Sequence, residues 1–347
     1  MMQQEYSSKP LPIRFFTALS VLLPCFVFFS LPAHADPDQS PDVLPAKQIE
    51  SFSMDIAKKH GRSQKEVYDL LKQAQIQPSI LSAIARPAEK KPWHEYRKLF
   101  LNHARIKGGV KFMAQHKQTL DRTESIYGVP PEIITAIIGV ETRYGKNKGG
   151  YRTIDALATL AFAYPPRSSF FKRELENFLL LVEEQNFDAL QLKGSYAGAM
   201  GIPQFMPSSY RHYGVDLDGD GVSALIDSTE DAIGSVAYYL QRHGWKRGAP
   251  VAWKINQIGD AAQAAIYAEQ GSKPSLTFEQ IQALKIDISP NVLGETTDPW
   301  ALLQLEKAPD SLEYWIGHDN FYVITRYNHS ILYAMAVFQL AESLKGS

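Results

Sequence analysis

The only cysteine of this 347-residue chain, Cys25, falls within its first 35 residues. If that leader is removed, no disulfide, thiolate nucleophile or cysteine-ligated metal remains, and the fold is left to noncovalent packing. A length of 347 residues exceeds one small core and suggests about two domains. Apolar residues make up 45% and charged residues 21%, the usage of a packed soluble protein.

The leader has the layout of a secretory signal. Lys9 and Arg14 precede an apolar run from Phe15 to about Leu31, and Ala33-His34-Ala35 supplies small residues at −3 and −1 before the polar Asp36-Pro37-Asp38. Residues 1–35 are therefore expected to be a signal peptide directing the chain to the periplasm, with a retained membrane anchor as the alternative. A lipoprotein modified at Cys25 is less favoured, because Pro24 precedes it and Phe-Val-Phe-Phe would follow at the new terminus. The net charge is −1 with no long like-charge block, which gives no field for nucleic acid or an anionic membrane.

Residues 36–47 are short, polar and contain three prolines, the composition of a linker. Helical patterning begins near Gln48, and Ser63-Gln64-Lys65-Glu66 matches a capping box before Val67, Leu70 and Leu71. Helices are predicted over Trp93–Arg105, Gly108–Tyr127, Pro131–Glu141, Asp155–Ala163, Ser169–Glu184, Ser228–His243 and Ser330–Leu344. Between Lys246 and Trp315 the pattern shifts to short runs such as Pro250–Ile255 and Trp300–Leu305, bounded by Gly, Pro and Asp, and strands are predicted there. The divisions follow: residues 48–130 helical, 131–245 a central helical core, 246–315 a small β-containing insert, and 316–347 a returning segment and helix. No repeat of fixed period and no low-complexity tract is present.

Three segments carry chemistry. In the helix opening at Pro131, Ile134, Ile137, Ile138 and Glu141 share one face. A carboxyl closing an apolar stripe loses water, and desolvation favours its protonated form, as a general acid requires. The bland alternative is a helix-end carboxylate paired with Arg143. Arg143-Tyr144-Gly145 is expected to end the helix at its glycine.

The second segment, Asp216-Leu-Asp218-Gly-Asp220-Gly221, matches positions 1, 3, 5 and 6 of an EF-hand loop, with the Val222 carbonyl at position 7. Position 12 falls on Asp227, and Glu230 and Asp231 are alternatives for the last ligand. One such loop points to a single structural calcium rather than a paired sensor. The third segment, Gly194–Tyr210, mixes small residues with aromatics, and Ser195 and Gln204 offer hydrogen-bonding groups to a sugar. Tight helix packing would use the same glycines. Neither dinucleotide nor P-loop spacing is present.

Taken together, Pro130–Gly145, Asp155–Leu160, Gly194–Tyr210, the acidic loop, Asp231–Val236 and Phe321–Ser330 resemble the lytic murein transglycosylase B family, in the family's order and across roughly Gln48 to Leu344. The resemblance implies a mainly α fold of the α+β kind, with a lysozyme-like helical core flanked by a helical N-terminal domain and the small β-containing insert. It implies Glu141 as catalytic residue. It places Ser195, Gln204, Tyr239, Tyr327, Asn328, Tyr333, Tyr96 and Arg167 along a saccharide groove. Asp216, Asp218, Asp220, Val222, Asp227 and Asp231 are the candidate metal positions. Tyr164-Pro165-Pro166-Arg167 carries one arginine where family members can have two.

The reaction it implies cuts the β-1,4 bond between N-acetylmuramic acid and N-acetylglucosamine without water and leaves a 1,6-anhydro end. Calcium is the one expected cofactor. The expected partners are peptidoglycan glycan strands, with cell-wall synthesis proteins as further candidates and the chain itself a monomer. The alternatives are a hydrolytic muramidase with Asp155 or Glu174 as second acid, and a noncatalytic, calcium-stabilised peptidoglycan-binding protein.

Overall fold

The Pro131–Thr142 helix is buried on nearly every side. Ile133 through Val140 and Thr142 are all buried, so the single apolar face expected from the sequence is too narrow a description. A helix that is apolar all round belongs at the centre of a core. Its four isoleucines and one valine are weak helix formers, and packing stabilises it instead. Pro131 in the first turn costs no hydrogen bond, because that amide has no intrahelical acceptor. The helix packs against His103–Gln115, Lys117–Tyr127, Thr229–Arg242 and Ile331–Lys345. Truncating a buried isoleucine such as Ile138 in such a place costs roughly 2–5 kcal/mol.

This computed structural model describes residues 44–85, 91–286 and 299–346. The expected signal peptide and residues 36–43 of the expected linker lie outside the described residues. Leu44 is buried and the first helix, Ala46–His60, starts two residues before the expected Gln48. The described residues form one compact, mainly helical unit. One continuous apolar cluster runs from Leu44 and Phe52 through Ile134 and Leu157 to Ala341.

Strands are few. β1 (Tyr151–Arg152) and β2 (Lys193–Gly194) form a two-residue antiparallel ladder. β3 (Ala252–Ile255), β4 (Ala301–Ala308) and β5 (Ser311–Gly317) form an antiparallel sheet in the order β3-β5-β4. Both runs expected as strands are strands, and β5 pairs with each of them. Along β4, Ala301, Leu303 and Leu305 join the main core, whereas Leu302 joins a second cluster with Ile255, Ala264, Leu276, Trp300 and Ile316. Alternate side chains face opposite sides of a strand. The sheet is thus buried on both faces, which is why Trp300–Leu305 reads as an unbroken apolar run. Buried Glu313 accepts from Trp93 Nε1 at 3.0 Å and pairs with Lys254 at 3.0 Å, tying the sheet to the N-terminal helices.

Two expected helices are each broken. Trp93–Tyr96 and a 3₁₀ turn give way at Asn102, whose side chain accepts the Arg105 amide at 3.0 Å and starts the His103–Gln115 helix. His116 separates that helix from Lys117–Tyr127. Of the expected capping box, the Ser63 side chain does accept from the Glu66 amide, and no reciprocal bond from Glu66 is among those formed. Helices at Pro78–Ile84, Pro207–Tyr213, Ala261–Ala268, Phe278–Ala283 and Asp319–Tyr327 were not expected. Each spans two turns or so, too short for a clear period.

In the glycine-rich segment, Gly201 has φ +72°, and a Cβ there would collide with the Leu225 carbonyl. Its smallness therefore serves packing against the loop after the acidic motif, where Ile202 N donates to Leu225 O at 2.9 Å. Gly201→Ala is expected to lower stability by about 1–3 kcal/mol, read as a drop in the thermal unfolding midpoint.

Candidate active site

The buried helix delivers Glu141 to its own C-terminal edge. Arg143 (φ 53°) and Tyr144 (φ 62°) turn the chain, with Arg143 N donating to Gly139 O at 3.2 Å and Tyr144 N to Ile138 O at 3.3 Å. The left-handed stop thus falls two residues before Gly145, the expected position. Thr142 Oγ1 fixes the turn: it donates to Ile202 O at 2.8 Å and accepts from Gly145 N at 3.0 Å. Glu141 is left half-buried while its neighbours on the helix are sealed.

A bank of tyrosines faces it. Tyr333, in the first turn of the Ile331–Lys345 helix, donates its hydroxyl to Glu141 Oε1 at 2.6 Å. Burial first, and then the Glu141 charge, push the Tyr333 phenol well above its ordinary range. It therefore stays a neutral donor at any working pH. Tyr327 stacks parallel to Tyr333 at 6.4 Å between centroids and lies 5.0 Å from Tyr239. The Tyr327 hydroxyl donates to Pro203 O at 2.6 Å and the Tyr239 hydroxyl to Arg326 O at 2.6 Å. Both phenols are raised chiefly by burial. With those hydroxyls spent on backbone, Tyr327 is left half-buried, whereas the Tyr239 ring is buried against its aromatic neighbours.

Ser195 Oγ accepts from the amides of Ala197 at 3.3 Å and Ala199 at 3.1 Å, so its hydrogen is the part left to donate. Gln204, at φ 51°, donates Nε2 to Lys148 O at 3.1 Å and Gly201 O at 3.0 Å. Its Oε1 is the part left to accept. Asn328 is half-buried at the end of the Asp319–Tyr327 helix, next to Tyr327. Arg167 is exposed and lies over the Phe170 ring at 4.4 Å, and its charge reaches His329 beside Asn328. Tyr96 is 2% exposed, as Tyr333 is, lies beside Trp93 and Phe100, and its influence reaches Tyr333. Two supporting residues escaped the sequence reading. Phe205 lies 5.6 Å from Tyr239 and 5.7 Å from Tyr327, and His243 stacks on Tyr239 at 4.0 Å. The Tyr239/His243 spacing of four on one helix was the available signal.

The acidic loop brings together three of the expected residues. Carboxylate oxygens of Asp216, Asp218 and Asp231 lie within 4.8 Å of one another. Two oxygens each about 2.4 Å from one calcium ion are at most about 4.8 Å apart, so the trio fits that ion. Asp216 accepts from the amides of Gly219, Asp220 and Gly221, the loop's sharp turn. Asp231 is fully buried and accepts from the amides of Leu217, Asp218 and Ala224. Burial raises its carboxyl, the three amides oppose that, and the Asp218 charge adds to it. Asp227 instead pairs with Lys148 at 3.1 Å. Asp220 accepts from the Val222 amide, and both residues are exposed.

The two carboxylates considered as second acids have structural partners. Asp155 accepts from Arg152 at 2.7 and 2.8 Å and from the Gln75 amide at 3.0 Å. Glu174 accepts from Ser208 N at 3.0 Å and Ser208 Oγ at 2.8 Å, satisfying the start of the Pro207–Tyr213 helix.

Comparison with known proteins concerns the chain as a whole. The family model described as the transglycosylase SLT domain matches residues 45–342. The chain is 40% identical to membrane-bound lytic murein transglycosylase B of Escherichia coli over 97% of its own length and 93% of the relative's. It resembles the solved E. coli lytic transglycosylase Slt35 in complex with calcium, at TM-score 0.76 and 42% identity, covering 87% of this chain and 93% of that one. It also resembles SltB3 of Pseudomonas aeruginosa in complex with NAG-NAM-pentapeptide, at TM-score 0.75 and 28% identity, covering 87% and 80%.

Replacing the buried Glu174 by Gln is expected to lower stability by about 1–3 kcal/mol and to leave the products of glycan cleavage unchanged. Thermal melting and mass analysis of digested sacculi read the two effects.

Proposed function

Because the chain belongs to the transglycosylase SLT domain family and is a lytic transglycosylase acting on peptidoglycan, we propose that Glu141 is the single residue that first protonates and then deprotonates the substrate. The observation that carries this reading is the placement of a half-buried carboxyl at an apolar helix end, gripped by a buried phenol 2.6 Å away. Asp155 and Glu174, the candidates for a second acid, are engaged with structural partners.

In this mechanism Glu141 protonates the oxygen leaving the N-acetylmuramic acid. The substrate's own N-acetyl oxygen supports the anomeric carbon, which removes the need for a protein nucleophile. Glu141, now ionised, takes the proton of the muramoyl C6 hydroxyl, and that oxygen closes on the anomeric carbon to give the 1,6-anhydro product. A tethered hydroxyl holds a large proximity advantage over bulk water. Tyr333 supports the ionised stage, because a hydrogen bond from a neutral phenol favours the charged carboxylate. Tyr327 offers a ring face to the sugars, with Tyr239 beside it. The Ser195 hydroxyl and the Gln204 carbonyl suit hydroxyl and N-acetyl groups, with Asn328 and Arg167 further along.

Asp216, Asp218 and Asp231 would hold a calcium ion. Bound there, the ion would neutralise three converging carboxylates, one of them buried, and clamp the loop to the Thr229–Arg242 helix that carries Tyr239. The apolar leader with its Ala33-His34-Ala35 site supports residence in the periplasm, and no helix among the described residues is long and apolar enough to cross a membrane.

Three outcomes test this reading. Glu141→Gln should lower release of 1,6-anhydro muropeptides from sacculi by about 10³-fold or more with an unchanged melting temperature. Residual release near the unaltered rate would remove Glu141 from the mechanism. Tyr333→Phe should lower kcat by about 10- to 100-fold, the value of one hydrogen bond to a charged group. Calcium at a hundredfold excess over its dissociation constant should add about 2.7 kcal/mol of stability, seen as a higher unfolding temperature that chelator reverses and that Asp216→Asn with Asp218→Asn abolishes.

A further inference from the structure

Three helix-interior glycines stand against one tyrosine ring. Gly108 and Gly109 belong to the His103–Gln115 helix and Gly139 to Pro131–Thr142, positions where glycine is a poor choice for a helix. A Cβ on Gly108 would come 2.8 Å from the Tyr144 ring, and one on Gly139 would come 2.7 Å from it. A Cβ on Gly109 would come 2.7 Å from the Tyr144 hydroxyl and equally near Leu344. All of these are well inside van der Waals contact. Two helices thus give up side chains where they meet Tyr144.

Tyr144 is held there on a backbone that does not favour it. It follows Arg143 in the left-handed region, φ 62° after φ 53°, which side chains avoid. Its ring lies 5.6 Å from Phe112, and its hydroxyl donates to Arg105 O at 2.7 Å. Burial pushes this phenol up to about 12, against the opposing charge of Arg105, so it stays a donor. Arg105 is 8% exposed, and its guanidinium donates to Gly139 O and, at 3.3 Å, to Leu99 O. One residue therefore binds the chain two positions before Glu141 and three positions after it. The whole exit of the helix lies between those two points.

A carboxyl that serves first as acid and then as base must reach two sugar oxygens from one place. The Tyr333 hydroxyl holds one carboxyl oxygen, but such a bond fixes a direction only if the backbone beneath is fixed too. We propose that Arg105 and Tyr144 are positioning residues for Glu141, a clasp that sets the direction in which its carboxyl leaves the helix. Neither needs to touch the sugar to act. This role rests on the catalytic reading of Glu141 and deepens it.

The test uses the full-length protein and purified sacculi, well below the melting temperature of each variant. Tyr144→Leu should lower kcat for release of 1,6-anhydro muropeptides by about 100-fold, the effect of a small misplacement, with KM within about twofold. Added to Glu141→Gln, the same change should leave binding of peptide-free glycan strands within about twofold of Glu141→Gln alone. Tyr144→Phe keeps the ring and loses one hydrogen bond. It should lower kcat by about three- to tenfold, and it decides alone if Tyr144→Leu does not fold. Arg105→Lys keeps the charge without the fork and should fall between the unaltered enzyme and Tyr144→Leu. Glu174→Gln, destabilised away from this turn, should keep its kcat. Full kcat in the folded Tyr144 variants, beside an inactive Glu141→Gln, removes the positioning role alone. A raised KM or weaker strand binding marks a disturbed groove and overturns it as well. Release by Glu141→Gln near the unaltered rate overturns the catalytic reading, and the clasp's role with it.

Discussion

A carboxyl group that must both give and receive a proton has to sit where water is scarce but a partner is fixed. In the mechanism proposed for Glu141, the Tyr333–Glu141 hydrogen bond supplies that condition, and it makes demands on the rest of the structure. Tyr333 has to be buried to remain a dependable donor, so the helix that carries it packs along the Pro131–Thr142 helix. Glu141 has to emerge from an apolar interior, so the helix that carries it must be sealed up to its last turn. The tight left-handed exit at Arg143 and Tyr144 then removes the backbone at once and leaves the edge open. The aromatic bank repeats the same logic, with hydroxyls turned to backbone carbonyls and the half-buried Tyr327 ring left for contact.

The acidic loop contributes at one remove. Its buried member, Asp231, belongs to the same helix as Tyr239, so whatever organises the loop also sets the position of that tyrosine in the aromatic bank. This arrangement favours, as final carboxylate, the residue that accepts from the loop's own amides. Asp227, favoured by counting along an EF-hand, is drawn off by Lys148. Counting positions assumes a standard loop length, whereas burial and amide geometry select the group that converges.

Long, strongly patterned elements were legible in the sequence for physical reasons. The Pro131 helix, the Thr229–Arg242 helix and the Ile331–Lys345 helix each combine a capping or proline start with an extended apolar repeat. Glu141 stood out because a charge at the end of such a run is rare. What escaped was decided by single side chains or by distant contacts. Asn102 breaks a helix that periodicity alone would continue, and β5 reads as a strand only once its two neighbours are in place. The depth of Tyr96 and the bond that Asp155 accepts from the Gln75 amide depend on segments far apart in sequence. No spacing rule reports them.

The three-stranded sheet sits between two apolar clusters and offers alternate residues of β4 to each. Such a sheet is a shared partition, not an appended module. Excising the insert would strip the main core of Ala301, Leu303 and Leu305 as well as emptying the smaller one. Swapping it between proteins would require both recipients to match the same alternating residues. Variation in this region is therefore channelled into its connecting loops, while the strand sequences answer to two interiors at once.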